Sequence, residues 1–377
     1  MNNRLIEAVR TSRFTRPFLE PYRMARNRWI HRKILNGESI PIPKSIAFEV
    51  TQRCNLNCKM CFYRQHKTEA GLKELTIKEI GFLFREKLSE NGFRNCFLTG
   101  SEPFMRNDIE DIIKIITNEG MEISFQTNGT LITEERLKKI FESSNRIALI
   151  GTSCEGFEMV HNRIRGRSDA YKRAMKSLEI FKKKGISVNI SVIVLDENLK
   201  DVVKLPALLV DYSVNQIDIG LVANYNDDEV RKSSLITGFD SDEIHTLVSE
   251  EIEYKNSLKE IQKTFYKTIE NGENRGLKVV FSPALLNKCF EGIFNRNIRE
   301  KCLLTCAGFF SVRIAPDASI IHCPFLRRSF GNLLDTSLET IWNSIEFREF
   351  RRKLLVSNML PTCTRCGKLR ELSKGIT

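Results

Sequence analysis

The 377-residue sequence has no apolar run long enough to span a membrane. The longest apolar stretch, 186–195, is interrupted by Ser187, Asn189 and Ser191, whereas a spanning helix needs about 20 mostly apolar residues. The sequence also shows no secretory signal, no internal repeat and no low-complexity segment. These absences argue against an integral membrane protein, a repeat protein and a secreted disulfide framework. We therefore expect a cytoplasmic protein.

Histidine is also scarce, because the chain has five histidines and they are scattered. This excludes a histidine-rich metal site. Cysteine, by contrast, is plentiful: eleven cysteines in a reducing compartment indicate metal chemistry rather than disulfides. The length and the 41% share of hydrophobic residues leave room for two domains with full cores.

The formal charge of +12 is concentrated at the N-terminus. Residues 1–44 hold ten Lys and Arg against three Glu, together with aromatic residues such as Trp29. Such a basic amphipathic stretch can contact an anionic membrane surface peripherally. The alternative is a helix that packs its apolar side on the protein and leaves its arginines in solvent. We expect no nucleic-acid partner.

Short β-rich runs alternate with amphipathic helical patterns between residues 45 and 225, which predicts a parallel sheet with right-handed crossovers. In such folds the chemistry lies at the carboxyl ends of the strands. The predicted strands are 46–51, 94–99, 122–126, 147–152, 187–195 and 216–221. The predicted helices are 76–90, 108–119, 134–143, 170–184 and 199–212.

The remainder of the chain changes character after residue 225. Residues 226–299 predict a connecting region with one long helix or two shorter ones, followed by a short strand at 277–281. Residues 313–324 predict a β-hairpin within a C-terminal domain, 300–377. The expected division is a basic extension (1–44), a main α/β domain (45–225), the connecting region and this small α+β domain.

Three cysteines, Cys54, Cys58 and Cys61, directly follow the first predicted strand. Three thiolates on one loop can hold three irons of a four-iron cluster and leave the fourth iron open to a small molecule. A zinc site completed by His66 and a disulfide framework are the alternatives, although zinc usually takes paired CxxC units.

The spacing Cys-x3-Cys-x2-Cys resembles the signature of the radical S-adenosylmethionine (SAM) superfamily. The resemblance implies a partial (β/α)6 TIM-like barrel, a SAM-binding [4Fe-4S] cluster and reductive cleavage of SAM to a 5′-deoxyadenosyl radical. It also implies an electron donor of the flavodoxin or ferredoxin type.

Further motifs at the predicted strand ends match this family. Gly100-Ser101-Glu102-Pro103 resembles the Gly-Gly-Glu-Pro turn that supports the SAM amino group, with serine in place of the second glycine. Thr127-Asn128-Gly129 matches the family's Thr-Asn-Gly turn, which implies a place in the ribose pocket. Ser153 and Arg165 correspond to a serine and an arginine that contact the SAM ribose or carboxylate, with Arg163 and Arg173 as rivals to Arg165.

A second set of cysteines lies near the C-terminus: Cys306, Cys323, Cys363 and Cys366. Four thiolates can saturate a [4Fe-4S] cluster, although tetrahedral zinc also suits them. The pattern is similar to the twitch domain, the short form of the SPASM domain, with Ala318 at a position where the family usually has glycine. It implies one auxiliary cluster, since no cysteine follows Cys366.

The other cysteines have no assigned function. Cys302 is an alternative ligand to Cys306, a redox thiol or an inert residue. Cys96, Cys154 and Cys289 are expected to be ordinary buried residues.

The resulting expectation is a radical SAM oxidoreductase that abstracts a hydrogen atom from its substrate for net oxidation, either a dehydrogenation or a crosslink. Only 44 residues precede the barrel, and this favours a small molecule such as a sugar or a lipid as substrate. A peptide- or protein-modifying maturase is the alternative, and an iron–sulfur electron carrier or redox sensor is the rival of another class. The sequence assigns no catalytic acid or base.

Overall fold

The computed structural model describes residues 16–63, 73–244, 254–282, 287–326 and 328–372. Side chains are described from residue 24 onward within these ranges, except at 287 and 288. His66, the zinc ligand considered above, lies outside the described residues.

A parallel sheet of six strands with intervening helices forms the main domain, and this confirms the predicted α/β class. The strands pair in sequence order, so their carboxyl ends lie along one edge of the sheet. The strands are β1 (Ser45–Thr51), β2 (Asn95–Gly100), β3 (Glu122–Gln126), β4 (Ile147–Ser153), β5 (Val188–Val194) and β6 (Val214–Leu221). The helices are α2 (Ile77–Phe82), α3 (Ile109–Asn118), α4 (Glu134–Ser143), α5 (Glu158–Arg165), α6 (Ala170–Lys183), α7 (Leu199–Val202) and α8 (Leu205–Leu209).

Two predicted helices are interrupted in the structure. The segment 199–212 divides into α7 and α8 because Pro206 has no backbone N–H to continue the hydrogen-bond ladder. The segment 76–90 begins with a capping box between Thr76 and Glu79, and after α2 it continues as a π-helical turn, Leu83–Lys87. Neither break changes the order of the strands.

The described residues between 226 and 282 form two helices and a strand, as expected for the two-helix alternative. They are α9 (Asp227–Thr237), α10 (Leu258–Glu273) and β7 (Lys278–Ser282). Each helix begins at a capping box, Asn226 with Glu229 and Ser257 with Glu260. β7 pairs parallel with β6 and extends the sheet.

The C-terminal part joins the same sheet at its opposite edge. Its elements are α11 (Asn287–Phe294), α12 (Ile298–Lys301), β8 (Leu304–Cys306), β9 (Val312–Ile314), β10 (Ser319–Ile321), β11 (Ser329–Asn332), α13 (Leu338–Trp342), α14 (Ile345–Val356) and β12 (Leu369–Glu371). The predicted hairpin is β9–β10, and β9 pairs parallel with β1. β8 and β12 form a separate antiparallel pair. β1 therefore lies between β2 of the barrel and β9 of the C-terminal hairpin, and the cysteine loop follows β1.

The N-terminal helix α1 (Arg16–Leu35) packs on α14. Ile30 and Ile34 are buried in the main core, and the imidazole of His31 lies 2.7 Å from the Thr305 hydroxyl. Burial lowers the pKa of His31 to about 4. On the opposite face Trp29 is 46% exposed. The described part of the extension is thus a packed helix, as the alternative to membrane contact predicted.

Candidate active site and metal centres

The cysteine loop begins at the carboxyl end of β1 and is fastened to the end of α5. The Asn57 amide donates to the Arg165 carbonyl (3.2 Å), and the Lys59 amide donates to the Ile164 carbonyl (2.9 Å). Cys58 is buried, whereas Cys54 and Cys61 are partly exposed. The loop backbone therefore has hydrogen-bond partners outside itself, which hold the loop against the end of α5.

Gly100 allows the β2 turn to approach the start of this loop. Its φ is +116°, and a Cβ there would lie 2.2 Å from the Thr51 carbonyl oxygen. A side chain is excluded on both grounds. The turn is completed by the Ser101 amide, which donates to the same carbonyl (3.0 Å).

The Glu102 carboxylate joins the β2 turn to the β3 turn. It accepts hydrogen bonds from the Phe104 amide (3.0 Å), the Thr127 hydroxyl (2.8 Å) and the Asn128 amide (2.6 Å). Burial raises the pKa of Glu102. Its oxygens already bind these three donors, so the structure gives Glu102 a structural role beside the role in SAM binding that the resemblance implies.

The Asn128 side chain joins the β3 turn to the cysteine loop. It donates to the Asn55 amide oxygen (2.9 Å), and its own oxygen accepts from the Thr130 amide (2.9 Å). The Asn55 nitrogen in turn donates to the Thr130 hydroxyl (2.8 Å). Asn55 was missed by the sequence reasoning, although its place between Cys54 and Cys58 was a usable signal.

Arg165 differs from its two rivals in burial. It is 9% exposed, pairs with the buried Glu155 carboxylate and points Nη1 at the Cys58 sulfur (3.6 Å). Arg163 and Arg173 are exposed and pair with Glu197 and Asp169. Of the three, only Arg165 is buried, and its guanidinium lies against a thiol of the cysteine loop.

Glu155 is a second residue that sequence reasoning did not place in the site. Its carboxylate bridges Arg165 and the Ile193 amide (2.8 Å), which fixes the guanidinium against β5. Burial raises the pKa of Glu155, and the nearby carboxylate raises that of Arg165. The signal was present in the Ser153-Cys154-Glu155-Gly156 turn, which places an acidic residue two positions after Ser153 at the end of β4.

Several buried polar atoms at these strand ends have no hydrogen-bond partner among the described residues. They are Gln52 Oε1, Ser101 Oγ, Thr152 Oγ1 and Arg165 Nε. Ser153, which is 9% exposed, lies next to Thr152 and accepts weakly from Gln126 Nε2 (3.4 Å). Buried polar groups normally find partners, so unpaired ones indicate a place for a polar ligand. Together with three thiols, these atoms fit a cluster that binds SAM.

The four C-terminal cysteines of the predicted auxiliary site lie near one another. The pairing of β8 with β12 sets Cys306 opposite Leu369, three residues after Cys366. Cys323 follows β10, and burial and then the neighbouring Cys366 thiol raise the pKa of its thiol. Burial, and then the neighbouring thiols, raise the pKa of Cys306 to about 12 and that of Cys323 to about 11.

The surroundings of these thiols suit an anionic metal centre. The Gly308 amide donates to the Cys306 sulfur (3.2 Å), and the Lys368 amide donates to the Cys366 sulfur (3.4 Å). Burial lowers the pKa of the Lys368 ammonium group, while the neighbouring thiols oppose that shift. Crowded thiols that would resist ionisation on their own are the donor set that a bound cation or iron–sulfur cluster stabilises.

Two contacts join the cysteine loop to the auxiliary cysteines. The rings of Phe62, next to Cys61, and Phe325, two residues after Cys323, lie 4.6 Å apart. Arg313 on β9 donates to the buried Glu49 carboxylate on β1 (2.6 Å) and to the Tyr63 hydroxyl (3.3 Å). The two candidate metal centres are therefore parts of one packed unit.

Cys289 and Cys302 are joined by a disulfide, with Cα atoms 6.3 Å apart. The expectation that Cys289 is an ordinary buried cysteine was wrong in this respect. Cys302, thirteen residues further along the chain, lies close enough to bond to it. The Glu371 carboxylate lies within 4.8 Å of both sulfurs. Cys96 and Cys154 are buried free thiols, as predicted.

Ala318 takes the left-handed backbone conformation that the family's usual glycine would take freely. Its φ is +72°, and its side chain is fully buried beneath the hairpin. The turn is retained because the Ala318 amide donates to the Ala315 carbonyl (3.1 Å) and the Leu333 amide donates to the Ala318 carbonyl (3.1 Å).

Family models match both regions in which the cysteines lie. Residues 48–209 match the radical SAM superfamily, and residues 302–367 match SPASM, an iron–sulfur cluster-binding domain. The chain therefore carries a radical SAM domain followed by a SPASM domain, as the cysteine motifs predicted. The cofactors that these domains imply are SAM, its [4Fe-4S] cluster and auxiliary iron–sulfur.

The similar proteins carry names from different biosynthetic processes. This chain is 34% identical over 171 residues to the AdoMet-dependent heme synthase of Oleidesulfovibrio alaskensis, a match covering 44% of this chain and 42% of that protein. It is 24% identical over 311 residues to the antilisterial bacteriocin subtilosin biosynthesis protein AlbA of Bacillus subtilis, covering 82% and 61%. The chain thus spans less than two thirds of the length of either relative.

Among solved structures, the crystal structure of Streptococcus suis SuiB bound to precursor peptide SuiA has a similar fold. The TM-score is 0.60 at 15% identity, and the match covers 88% of this chain and 72% of SuiB. At this identity the likeness concerns the fold, and it agrees with a partial barrel followed by a small C-terminal domain. No helix in the described ranges has the length and hydropathy needed to cross a membrane.

Proposed function

We propose that this radical SAM enzyme modifies a peptide or protein substrate by net oxidation, which was the alternative reading of the sequence. Two names support a peptide substrate. AlbA is a bacteriocin biosynthesis protein, and the SuiB structure is a complex with a precursor peptide. The expectation of a sugar or lipid has no such support. The heme synthase match, which covers less than half of this chain, keeps a small molecule as the second candidate.

The observation that carries the SAM-binding part of the proposal is the set of unpaired polar atoms beside the cysteine loop. Ser101 Oγ, Thr152 Oγ1 and Arg165 Nε are buried and without partners among the described residues. Arg165 Nη1 and Nη2 already reach Cys58 and Glu155, so the Nε–H is the donor left for a carboxylate, and a hydrogen bond from a charged group is among the stronger ones. We assign Arg165 to the SAM carboxylate, and Gly100, Ser101, Glu102, Thr127, Asn128 and Ser153 to the rest of the SAM pocket.

The chain's own residues hold and orient the cofactors. Cys54, Cys58 and Cys61 would ligate the first cluster, and Cys306, Cys323, Cys363 and Cys366 a single auxiliary cluster. When bound, these groups and SAM supply a 5′-deoxyadenosyl radical that removes a hydrogen atom from carbon, and a site that accepts the remaining electron. Glu155 keeps Arg165 in place, while Asn128 and Asn55 keep the cysteine loop in place, so that the reacting groups meet in one geometry.

The test is an anaerobic assay of reconstituted protein with SAM and dithionite. We expect 5′-deoxyadenosine to form, and a peptide substrate to raise its yield while losing two mass units per modification. Candidate peptides come from short reading frames beside the gene, with sugars, lipids and porphyrins as matched additions. Stimulation by a small molecule alone would restore the first expectation, and absence of 5′-deoxyadenosine would favour an electron carrier or redox sensor.

A further inference from the structure

His322 is a buried histidine to which the proposed function gives no role. It directly precedes Cys323 and is 5% exposed. Neither of its ring nitrogens, Nδ1 and Nε2, has a hydrogen-bond partner among the described residues. Buried polar groups are nearly always hydrogen-bonded, so two unpaired nitrogens on one buried ring point to a partner that is not a protein group.

The side chains around this imidazole are apolar or cationic. Three phenylalanine rings lie at centroid distances of 5.2 to 6.2 Å from it: Phe309, Phe347 and Phe350. Burial, and then the charges of Arg351 and Lys368, lower the pKa of His322 to about 3. Arginine and lysine side chains donate hydrogen bonds and accept none. An imidazole carries one N–H when neutral and two when protonated, so in either state it has a donor that these side chains leave without an acceptor.

The Nε2 edge of the ring lies beside one of the auxiliary cysteines. A Cβ on Gly308 would lie 2.9 Å from His322 Nε2 and 3.3 Å from the Cys306 sulfur, so a single point is close to both atoms. The Gly308 amide already donates to the same sulfur (3.2 Å). Glycine at position 308 therefore leaves open the space between the imidazole and the sulfur, which a side chain would fill.

We infer that His322 Nε2 donates a hydrogen bond to a sulfur of the auxiliary iron–sulfur centre and thereby raises the reduction potential of that centre. The inference rests on the auxiliary ligand set of the proposed function, and it is independent of the substrate. Reduction adds negative charge to a cluster, and an N–H directed at one of its sulfurs stabilises that charge. His322 is then a positioning residue that makes the auxiliary centre a better acceptor for the electron released by substrate oxidation.

The test is an anaerobic redox titration followed by electron paramagnetic resonance (EPR). It uses the full chain with Cys54, Cys58 and Cys61 replaced by Ala, so that the auxiliary centre alone gives the signal of a reduced cluster. His322→Phe keeps an aromatic ring among the three phenylalanines and removes both nitrogens. It should lower the equilibrium constant for reduction at least about tenfold, a shift of roughly 59 mV to more negative potential for one electron. A histidine that only packs would leave the potential unchanged.

His31→Phe is the matched control, because it also exchanges a buried histidine for phenylalanine. The His31 imidazole lies 2.7 Å from the Thr305 hydroxyl. Thr305 and Cys306 are neighbours on β8, and successive side chains of a strand point to opposite faces, so His31 contacts the face away from the Cys306 sulfur. His31→Phe should change the equilibrium constant less than about twofold. His322→Gln, which restores an N–H donor, should lie between the wild-type residue and His322→Phe.

The outcomes separate this inference from the proposed function. If the triple cysteine variant holds no four-iron cluster, the proposed auxiliary centre fails and the role of His322 falls with it. If the cluster forms and His322→Phe leaves its potential unchanged, the role of His322 alone is wrong. If His322→Phe loses the cluster, histidine labelled with nitrogen-15 decides in the protein that retains His322. Pulsed EPR of the reduced centre should then show a coupled imidazole nitrogen that persists in His31→Phe, and its absence would overturn the inference.

Discussion

The two candidate metal centres are built in different ways. The first three thiols occupy eight residues of one loop, which is fixed by the end of α5. The second four come from three segments across 61 residues, from Cys306 to Cys366, and meet through the β8–β12 pair and the β9–β10 hairpin. A local site can exist before the metal arrives, whereas a site assembled from distant segments gains more order from its metal.

Both centres nevertheless use a buried Arg–Glu pair. Arg165 and Glu155 stand at the cysteine loop, and Arg313 and Glu49 join the loop strand to the auxiliary hairpin. Arg313 also donates to Tyr63, whereas Arg165 keeps an unpaired Nε. The first pair thus retains donor capacity for a ligand, and the second bonds only protein groups in the described structure.

The largest effect should follow from removing the local site. Anaerobically reconstituted protein should hold about eight irons, and the triple variant of Cys54, Cys58 and Cys61 to Ala should hold about four. It should form no 5′-deoxyadenosine, yet its unfolding should resemble that of the wild type because the loop backbone keeps its hydrogen bonds. Iron analysis, product analysis and calorimetry check this. Retained SAM cleavage would contradict the assignment.

Removing the distributed site should have the opposite pattern. Single Ala variants of Cys306, Cys323, Cys363 and Cys366 should each lose the auxiliary spectrum and lower the melting temperature, because metal binding there is coupled to folding. Cleavage of SAM should survive. Cys302→Ala is the control and should retain the auxiliary spectrum, since Cys302 pairs with Cys289. If Cys302→Ala lost the auxiliary cluster and Cys306→Ala kept it, Cys302 would replace Cys306 in the set of ligands.

Substitutions in the two ion pairs should distinguish an effect on stability from an effect on SAM binding. Glu155→Gln and Glu49→Gln each leave a buried arginine without its carboxylate, which should cost about 3–5 kcal/mol of unfolding free energy. Only Glu155→Gln should also weaken SAM binding, because it releases Arg165. Denaturant titration and equilibrium dialysis with SAM measure the two effects. Equal SAM affinity in both variants would remove Arg165 from the pocket.

Glu102 should make stability depend on pH. Its pKa is raised above the ordinary value of 4.5, because burial disfavours the charged form. It therefore contributes stability that is present below pH 4.5 and is lost as the pH rises through its folded-state pKa. Glu102→Gln cannot ionise, so its unfolding free energy should fall less steeply with rising pH. Urea titrations from roughly pH 5 to pH 8 measure how the unfolding free energy of the wild type and of Glu102→Gln changes with pH.

The sequence predicted what depends on local pattern. Each barrel strand lies within about two residues of its predicted bounds, because buried parallel strands are near-continuous apolar runs. The cysteine sets were found from their spacing. The Glu155 partner of Arg165, the Asn55 link to Asn128 and the Cys289–Cys302 bond were not predicted, since each joins residues that only the folded chain brings together. The domain boundaries, the ligand roles and the cytoplasmic location stay predictions.

The smallest expected effect concerns the exposed face of α1. This helix packs on α14 of the C-terminal part, which also carries the auxiliary cysteines. Deletion of residues 1–40 would expose the core around Ile30 and Ile34, so substitutions on the exposed face give a cleaner test of membrane contact. If the face binds anionic vesicles, Arg26→Glu/Arg32→Glu should reduce sedimentation with them by several-fold, since each surface cation is worth roughly 1 kcal/mol there. Binding should also weaken as salt rises, and neutral vesicles are the control. Equal sedimentation of variant and wild type, or none by either, would leave α1 as a packed helix, held by Ile30 and Ile34 in the core and by the His31–Thr305 contact.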